Sequence, residues 1–256
     1  MSRARPSVLV VAGTESSGRA GLARDLATLR DHGVDAQIAV TAITAQNDQG
    51  LRAQHFSPPE IVAAQLAQAL HEPQLRAIKI GMLGNQAIVE TLCEALARRP
   101  DLPVVLDPVL NATSGAPLLD AAGLQMLKTR LLPLCRLITP NLPELARLCD
   151  TDLPQSTAKQ CDLARHLHRM GGAAVLLKGG HATGSEAVDL LVDGTGRALR
   201  FAAPRLAISA RGTGCTLASA ISANLAQGHD LPEAVGRAKT YLSDWLTSLT
   251  APRQGQ

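Results

Sequence analysis

The sequence predicts an α/β fold in which a mostly parallel central sheet is covered by helices on both faces. Two observations support this prediction. Short β-branched segments alternate with longer amphipathic segments along the 256 residues. Polar and glycine-rich residues recur directly after the predicted strands. No repeat, low-complexity tract or change of composition divides the chain, so we expect one domain over residues 1–256 with an ordered core over about residues 8–246.

The N-terminal half predicts strands that alternate with helices. The apolar run at residues 7–12 indicates a buried first strand, and the amphipathic segment 20–32 indicates the helix after it. A second strand is predicted at 36–42. The sequence Ser-Pro-Pro-Glu at 57–60 begins the next helix, because proline is favoured in a first helical turn. Its expected buried face comprises Ile61, Leu66, Ala67 and Leu70. Strands at 77–80 and 104–106 alternate with helices at 86–98 and 118–131.

The C-terminal half continues this alternation and adds a hairpin. A strand at 137–139 is followed by helices at 142–149 and 156–170 and by a strand at 174–177. The segments 188–192 and 199–202 are predicted to form a hairpin, because the Asp-Gly-Thr-Gly sequence at 193–196 is typical of a turn. Two last helices are predicted at 215–227 and 232–246, and residues 251–256 are expected to be frayed.

Composition excludes several classes of function. Aromatic residues make up 2% of the chain and the net charge is +3, so we expect no nucleic-acid-binding surface. The five cysteines are an odd number without metal-site spacing, which argues against a disulfide framework or zinc site and favours a reducing, cytoplasmic location. The apolar run at 8–12 is too short for a membrane span, so no membrane association is expected.

The glycine turn before the penultimate helix is the sharpest motif. In Gly212-Thr213-Gly214-Cys215, small residues let successive backbone N–H groups point at one spot, and the helix N-terminus adds positive charge. This arrangement suits phosphate oxygens, although the Gly-Lys-Ser/Thr ending of a Walker A loop is absent. A thiol in the first helical turn is expected to have a lowered pKa. The alternative is a glycine turn with a small buried cysteine.

Further polar residues follow other predicted strands. Asp107 and Glu144 are carboxylates at neighbouring strand ends and could hold Mg²⁺ directly or through water; each could also be a helix cap or a solvated acid. Asn141 precedes a helix and could cap it. Lys178 could reach a nucleotide phosphate or simply be exposed. Because ligands of open α/β sheets bind outside the carboxyl ends of the strands, the joint placement of these residues predicts a site.

A second group of residues offers contacts for a heterocycle. Gln46, expected in a polar loop after the second strand, could read a ring by amide hydrogen bonds. Asp25 lies inside the first helix, where acids usually face solvent. Met82 follows a strand and fits the core better than a ligand contact. Each residue therefore has a structural and a functional interpretation.

Taken in order, these motifs resemble those of the hydroxymethylpyrimidine/phosphomethylpyrimidine kinases of thiamine biosynthesis, within the ribokinase-like superfamily. The resemblance covers about residues 8–246 and rests on segments 12–21, 44–47, 79–83, 107–109, 114–115, 138–144, 178–181 and 212–216. It implies a three-layer α/β/α sandwich, transfer of the ATP γ-phosphate to a small pyrimidine alcohol or its monophosphate, and a need for Mg²⁺; it leaves a homodimer open.

The resemblance also assigns roles to individual residues. It implies that Cys215 is catalytic together with Gly212 and Gly214. The implied substrate contacts are Gly13, Asp25, Gln46 and Met82; the implied nucleotide contacts are Asn141, Lys178 and Thr213; the implied metal ligands are Asp107 and Glu144.

Departures from the family pattern cluster at the substrate end. Glu15 begins a segment that usually starts with Asp, Arg19 replaces a glycine, and Arg211 stands where His is common. Two added cations favour a ligand that already carries phosphate, unless both point to solvent. These departures keep two alternatives open: a pyridoxal-type kinase, and a catalytically weak paralogue that binds the pyrimidine.

Overall fold

A nine-stranded sheet runs through the part of the chain that the computed structural model describes, residues 4–47, 49–112, 115–179, 184–195, 197–208 and 210–250. The strand order is β3-β2-β1-β4-β5-β6-β7-β8-β9. The strands are β1 (Ser7–Glu15), β2 (Asp35–Asn47), β3 (Gly50–Phe56), β4 (Leu75–Ile80), β5 (Val104–Leu106), β6 (Leu137–Ile138), β7 (Ala174–Leu177), β8 (Glu186–Val192) and β9 (Ala198–Pro204). The predicted tail and the motif residues Ser114, Gly180, His181 and Gly196 lie outside the described residues.

Six strands at the centre of the sheet are parallel. β2, β1, β4, β5, β6 and β7 pair in parallel, whereas β3, β8 and β9 pair antiparallel with their neighbours. The predicted hairpin is the antiparallel pair β8–β9. Because the central strands are parallel, their carboxyl ends meet at one edge of the sheet, which is where the predicted polar motifs lie.

Helices cover both faces of this sheet. The helices are α1 (Gly21–Asp31), α2 (Pro59–Leu70), α3 (Gln86–Leu96), α4 (Ala121–Met126), α5 (Leu142–Leu148), α6 (Thr157–Gly171), α7 (Thr213–Ala226) and α8 (Leu231–Thr250). One π-helical turn, Leu127–Leu131, and one 3₁₀ turn, Leu132–Leu134, continue α4. None of the described helices combines the length and apolarity needed to cross a bilayer.

The core explains the three layers. Successive residues of β1 point to opposite faces: Leu9 and Val11 pack in the cluster that holds α2 to α6, whereas Val8 and Val10 pack against α1 and α7. In a third cluster, side chains of strands β5, β6, β7 and β8 pack against α7 and α8. The fully apolar run predicted as a buried strand is therefore buried on both faces, and the predicted α/β/α sandwich is confirmed.

Several predicted boundaries were wrong. Strand β3 was not predicted, because its edge position leaves most of its side chains exposed and its sequence lacks an apolar alternation. Gln46 lies within β2 rather than in a loop. The buried face of α2 consists of Val62, Leu66 and Ala69, while Ile61 and Ala67 are exposed. Helix α4 begins three residues later than predicted, because the Asp120 side chain caps it by accepting from Gly123 N.

Candidate active site

A cleft of about 720 Å³ opens at the carboxyl ends of the central strands. The N-terminus of α7, the start of α5 and the outer hairpin surround it. It brings together eight of the predicted site residues: Asp107, Asn141, Glu144, Lys178, Gly212, Thr213, Gly214 and Cys215. Gly13, Asp25, Gln46 and Met82 do not line this cleft.

Lys178 lies at the centre of the charged part of the cleft. Its Nζ donates to Asp107 Oδ1 at 2.7 Å and lies 3.7 Å from Glu144 Oε2. Thr139, directly after β6, also donates to Asp107 Oδ1, at 3.2 Å. Burial acts to lower the pKa of Lys178, but the two carboxylates outweigh it and hold the pKa above its ordinary value. Lys178 is therefore a positive charge held between two acids, not an exposed side chain.

The two residues of the α5 start satisfy each other. Asn141 Oδ1 accepts from Glu144 N at 2.8 Å, and Glu144 Oε2 accepts from Asn141 N at 2.7 Å. This capping box explains why Asn and Glu stand three residues apart here. Burial raises the pKa of Glu144, although Lys178 opposes the shift. The structural interpretation of Asn141 as a cap is thus confirmed, and the same cap holds Glu144 at the cleft.

The glycine turn leaves little room for side chains. Gly212 has φ +82°, and a Cβ atom there would lie 2.2 Å from Arg19 O. A Cβ atom on Gly214 would lie 3.0 Å from Asp107 Oδ2. Helix α7 begins at Thr213, and Gly212 is its N-cap without a side-chain cap. The first N–H groups of α7 are therefore available to a ligand, next to Asp107 and Lys178.

The environment of Cys215 contradicts the prediction of a lowered pKa. Burial raises the pKa of this thiol to about 11, and the charges of Asp25 and Asp107 add to the rise. Lys79 and a hydrogen bond from Gly21 N oppose it without prevailing. The helix N-terminus alone suggested a thiolate; desolvation of the charged form is the larger effect at this position.

A buried ion pair lies beneath the glycine turn. Lys79 Nζ donates to Asp25 Oδ2 at 2.8 Å, and Ser219 Oγ donates to Asp25 Oδ1 at 2.7 Å. The Asp25 and Lys79 side chains are both 0% exposed. Acids inside a helix usually face solvent, but Asp25 does not. Both of its carboxylate oxygens accept hydrogen bonds from neighbouring groups. Sequence reasoning missed Lys79 and Ser219, although a lysine within an apolar strand was a signal of a buried partner.

Gly13 and Met82 lie side by side at the ends of β1 and β4. A Cβ atom on Gly13 would lie 3.1 Å from Met82 Sδ. Thr41 Oγ1 donates to the Met82 carbonyl at 2.5 Å. The Gly13 carbonyl also approaches Gly21 closely, since a Cβ atom on Gly21 would lie 2.3 Å from that oxygen. Because Gly21 N bonds with Cys215, this pair connects with the start of α7.

The backbone of Gln46 is held by the loop after β1. Ser16 Oγ donates to Gln46 O at 2.9 Å and accepts from Gln46 N at 3.1 Å. Among the described residues, the Gln46 side-chain amide has no hydrogen-bond partner, so it can bond with a ligand.

Two of the departures from the family pattern, the acid Glu15 and the cation Arg211, offset each other's charge. Glu15 Oε1 accepts from Arg19 N at 2.6 Å and from Ala20 N at 3.0 Å, while Glu15 Oε2 lies 3.4 Å from Arg211 Nη2. Despite burial, the hydrogen bond from the Ser17 hydroxyl, followed by those from Ala20 N and Arg19 N, holds the pKa of Glu15 below its ordinary value. The acid at 15 and the cation at 211 therefore form a pair, which reduces the net positive charge that the sequence suggested here.

The carboxylates of the cleft fit a magnesium ion that arrives with a nucleotide. Among the described residues, no cluster of three or more His, Cys, Asp or Glu side chains could hold a metal alone. Asp107 and Glu144 both approach Lys178, so they lie close together at one strand edge. Mg²⁺ is usually bound by one or two carboxylates with waters and substrate phosphates, and this donor set matches that pattern.

Sequence comparison identifies relatives of this chain. A family model described as phosphomethylpyrimidine kinase matches residues 15–256. The chain is 42% identical over 240 residues to the thiamine biosynthesis bifunctional protein ThiED of Geobacter sulfurreducens, covering 93% of this chain but only 49% of that protein. It is 40% identical to the hydroxymethylpyrimidine/phosphomethylpyrimidine kinase of Escherichia coli, covering 94% of this chain and 91% of that one. The chain thus spans about half of the bifunctional relative.

Solved structures share the fold. The phosphomethylpyrimidine kinase of Clostridium difficile is 33% identical with a TM-score of 0.82, covering 94% of this chain and 100% of that chain. The pyridoxal kinase of Staphylococcus aureus in complex with pyridoxal is 27% identical with a TM-score of 0.87, covering 99% and 91%. The sandwich fold therefore occurs in kinases of both kinds.

Proposed function

The chain belongs to the phosphomethylpyrimidine kinase family, and from this premise we propose that it transfers the γ-phosphate of ATP to hydroxymethylpyrimidine or to its monophosphate. The observation that carries the proposal is the cleft in which Lys178, Asp107 and Glu144 meet the glycine turn of α7. Phosphoryl transfer needs little covalent chemistry from the protein, so positioning and charge neutralisation are the functions to assign.

The residues at the start of α7 bind the migrating phosphoryl group. The N–H groups after Gly212 donate to its oxygens, and the helix N-terminus contributes positive charge at the same place. Lys178 neutralises charge on the triphosphate, while Thr213 and Asn141 border the nucleotide. Because a Cβ atom on Gly212 would clash with the Arg19 carbonyl, any larger residue there would displace these donors, whereas one on Gly214 would press against the Asp107 carboxylate.

Asp107 and Glu144 would hold the magnesium ion of the nucleotide. When bound, this ion supplies charge neutralisation on the phosphate oxygens. The contribution of the chain itself is to orient both carboxylates. Lys178 provides the opposing charge, and the α5 cap holds Glu144 in place.

The acceptor binds on the other side of the glycine turn. Gln46 offers its free amide to a ring edge, and Gly13 with Met82 provides a narrow contact beneath it. In its thiolate form, Cys215 takes the proton of the acceptor hydroxyl and becomes the neutral thiol. We assign Asp25 a supporting role beside this site rather than the ring contact implied by the resemblance, because Lys79 and Ser219 already engage both of its oxygens.

A pyridoxal-type kinase is the second candidate. The high TM-score with the pyridoxal kinase of Staphylococcus aureus supports it, and pyridoxal also carries a hydroxymethyl group on an aromatic ring. The higher identity with hydroxymethylpyrimidine/phosphomethylpyrimidine kinases favours the pyrimidine. The homodimer and the cytoplasmic location stay predictions.

A coupled assay of ADP release tests the proposal. We expect ADP release with hydroxymethylpyrimidine and its monophosphate, a much lower kcat/KM with pyridoxal, and loss of activity in the presence of a chelator. ADP release only with pyridoxal would favour the second candidate. Ligand binding without ADP release would instead indicate the catalytically weak paralogue.

A further inference from the structure

A second buried ion pair lies in the wall of the cleft itself. Lys239 Nζ on α8 donates to Asp189 Oδ2 on β8 at 2.7 Å. Their side chains are 9% and 4% exposed, and both residues line the cleft. Neither residue belongs to the motifs that identified the site in the sequence. A buried ion pair seldom adds much stability, so its position raises the question of what it orients.

The second carboxylate oxygen of Asp189 binds the backbone that follows β7. Asp189 Oδ1 accepts a hydrogen bond from Gly179 N at 2.8 Å. Gly179 directly follows Lys178, the lysine between Asp107 and Glu144. The same glycine presses on β8, since a Cβ atom there would lie 1.7 Å from Val188 O. Asp189 therefore holds the backbone at the point where the chain leaves β7 and carries Lys178 into the cleft.

We propose that Asp189 and Lys239 form a positioning pair that sets the placement of Lys178 for nucleotide binding. Asp189 orients the backbone after Lys178, and Lys239 supplies the counter-charge of the buried Asp189 carboxylate. The inference rests on the proposed function, because it assigns the pair to the nucleotide rather than to the pyrimidine. The pair connects α8 with the edge of the sheet where Lys178 enters the cleft.

Lys239→Met tests this role with the full chain. Methionine retains the apolar stem but leaves Asp189 buried without a counter-charge, so the carboxylate must protonate or move, and its bond with Gly179 changes. We expect the Kd for a non-hydrolysable ATP analogue, measured by calorimetry with Mg²⁺, to rise at least about tenfold, which corresponds to about 1.4 kcal/mol. The Kd for hydroxymethylpyrimidine should stay within about twofold of the wild-type value.

A control away from the cleft tests whether replacing any buried lysine affects nucleotide binding. Lys128 is also buried, and it pairs outside the cleft with Asp150, whose side chain is 68% exposed. Lys128→Met should therefore leave the Kd for the nucleotide unchanged. Lys239→Arg keeps the positive charge, so it should bind the nucleotide more tightly than Lys239→Met. It also replaces Lys239→Met as the test variant if Lys239→Met does not fold.

The double variant Asp189→Asn/Lys239→Met distinguishes positioning from direct contact between Lys239 and the nucleotide. Asparagine keeps an oxygen for Gly179 N but no longer needs a counter-charge, so the positioning role predicts a Kd within about threefold of the wild-type value. A double variant as weak as Lys239→Met would overturn that role.

Measurements on the wild-type chain distinguish a failure of the proposed function from a failure of the positioning role alone. A wild-type chain that neither binds nucleotide nor releases ADP overturns the proposed function and the positioning role with it. An active wild-type chain beside a folded Lys239→Met chain of unchanged nucleotide affinity overturns the positioning role alone.

Discussion

The role of Cys215 can be tested through the pH dependence of turnover. Because the pKa of this thiol is raised to about 11, a thiolate that accepts the proton of the substrate hydroxyl is scarce at neutral pH and increases with pH. Between pH 7 and pH 9 its fraction rises about 100-fold, that is, tenfold per pH unit. Cys215→Ser has a hydroxyl that does not titrate in this range, while every other titrating group is retained.

The assay is single-turnover ADP release by the wild-type chain and by Cys215→Ser at several pH values. We expect the variant to be slower on the order of 10²–10⁴-fold, which is the usual contribution of a general base. The ratio of the two rates should increase with pH, because only the wild-type chain gains its base. Calorimetry with ADP should give equal nucleotide affinity in both proteins. A ratio that does not change with pH would refute the thiolate as the base.

Three further predictions concern other parts of the site. Asp25→Asn leaves Lys79 buried without a counter-charge, so we expect urea unfolding to show that the free energy of unfolding falls by about 3–5 kcal/mol. Asp101→Asn removes the acid of a more exposed pair with Arg99 and should change the free energy of unfolding little. Equal effects of the two substitutions would contradict the importance of burial. Gln46→Leu should weaken the binding of hydroxymethylpyrimidine in calorimetry and leave that of ADP unchanged; equal loss for both ligands would mean a folding defect. Gly212→Ala should lower the free energy of unfolding by about 1–2 kcal/mol because of its positive φ, and by more because of the contact with Arg19 O; it should also slow turnover. Gly33→Ala is the control, because Gly33 has a similar φ of +67° with open space around it. A control as damaging as Gly212→Ala would contradict the steric argument.

The sequence predicted the central part of the fold because its signals there are local. A short, fully apolar run such as residues 7–12 indicates a strand buried on both faces, and the motifs after β5, β6 and β7 meet because parallel strands end at one edge. Strand β3 was missed because an exposed edge strand needs no apolar alternation. The start of α4 was misplaced because the cap at Asp120 overrides the apolar residues before it.

The site was predictable in its residues more than in its electrostatics. Asp107, Lys178 and the glycine turn come together as their positions at strand ends suggested. The pairs Asp25–Lys79 and Asp189–Lys239 join residues 54 and 50 positions apart. A lysine within an apolar strand signals that Lys79 has a buried partner, but no local pattern tells which residue that partner is. The pKa of Cys215 depends on burial and on charges from several elements, which the first turn of one helix cannot reveal.

Transfer of labelled phosphate tests the central claim most directly. The chain is incubated with ATP labelled at the γ-phosphate, Mg²⁺ and hydroxymethylpyrimidine, and the products are separated by chromatography and identified by mass. We expect the label in the pyrimidine monophosphate and then in the diphosphate, with the label absent from the pyrimidine when chelator is added. Label that remains in ATP, or that appears only as inorganic phosphate, would contradict the assignment of this cleft to phosphoryl transfer onto a hydroxymethylpyrimidine.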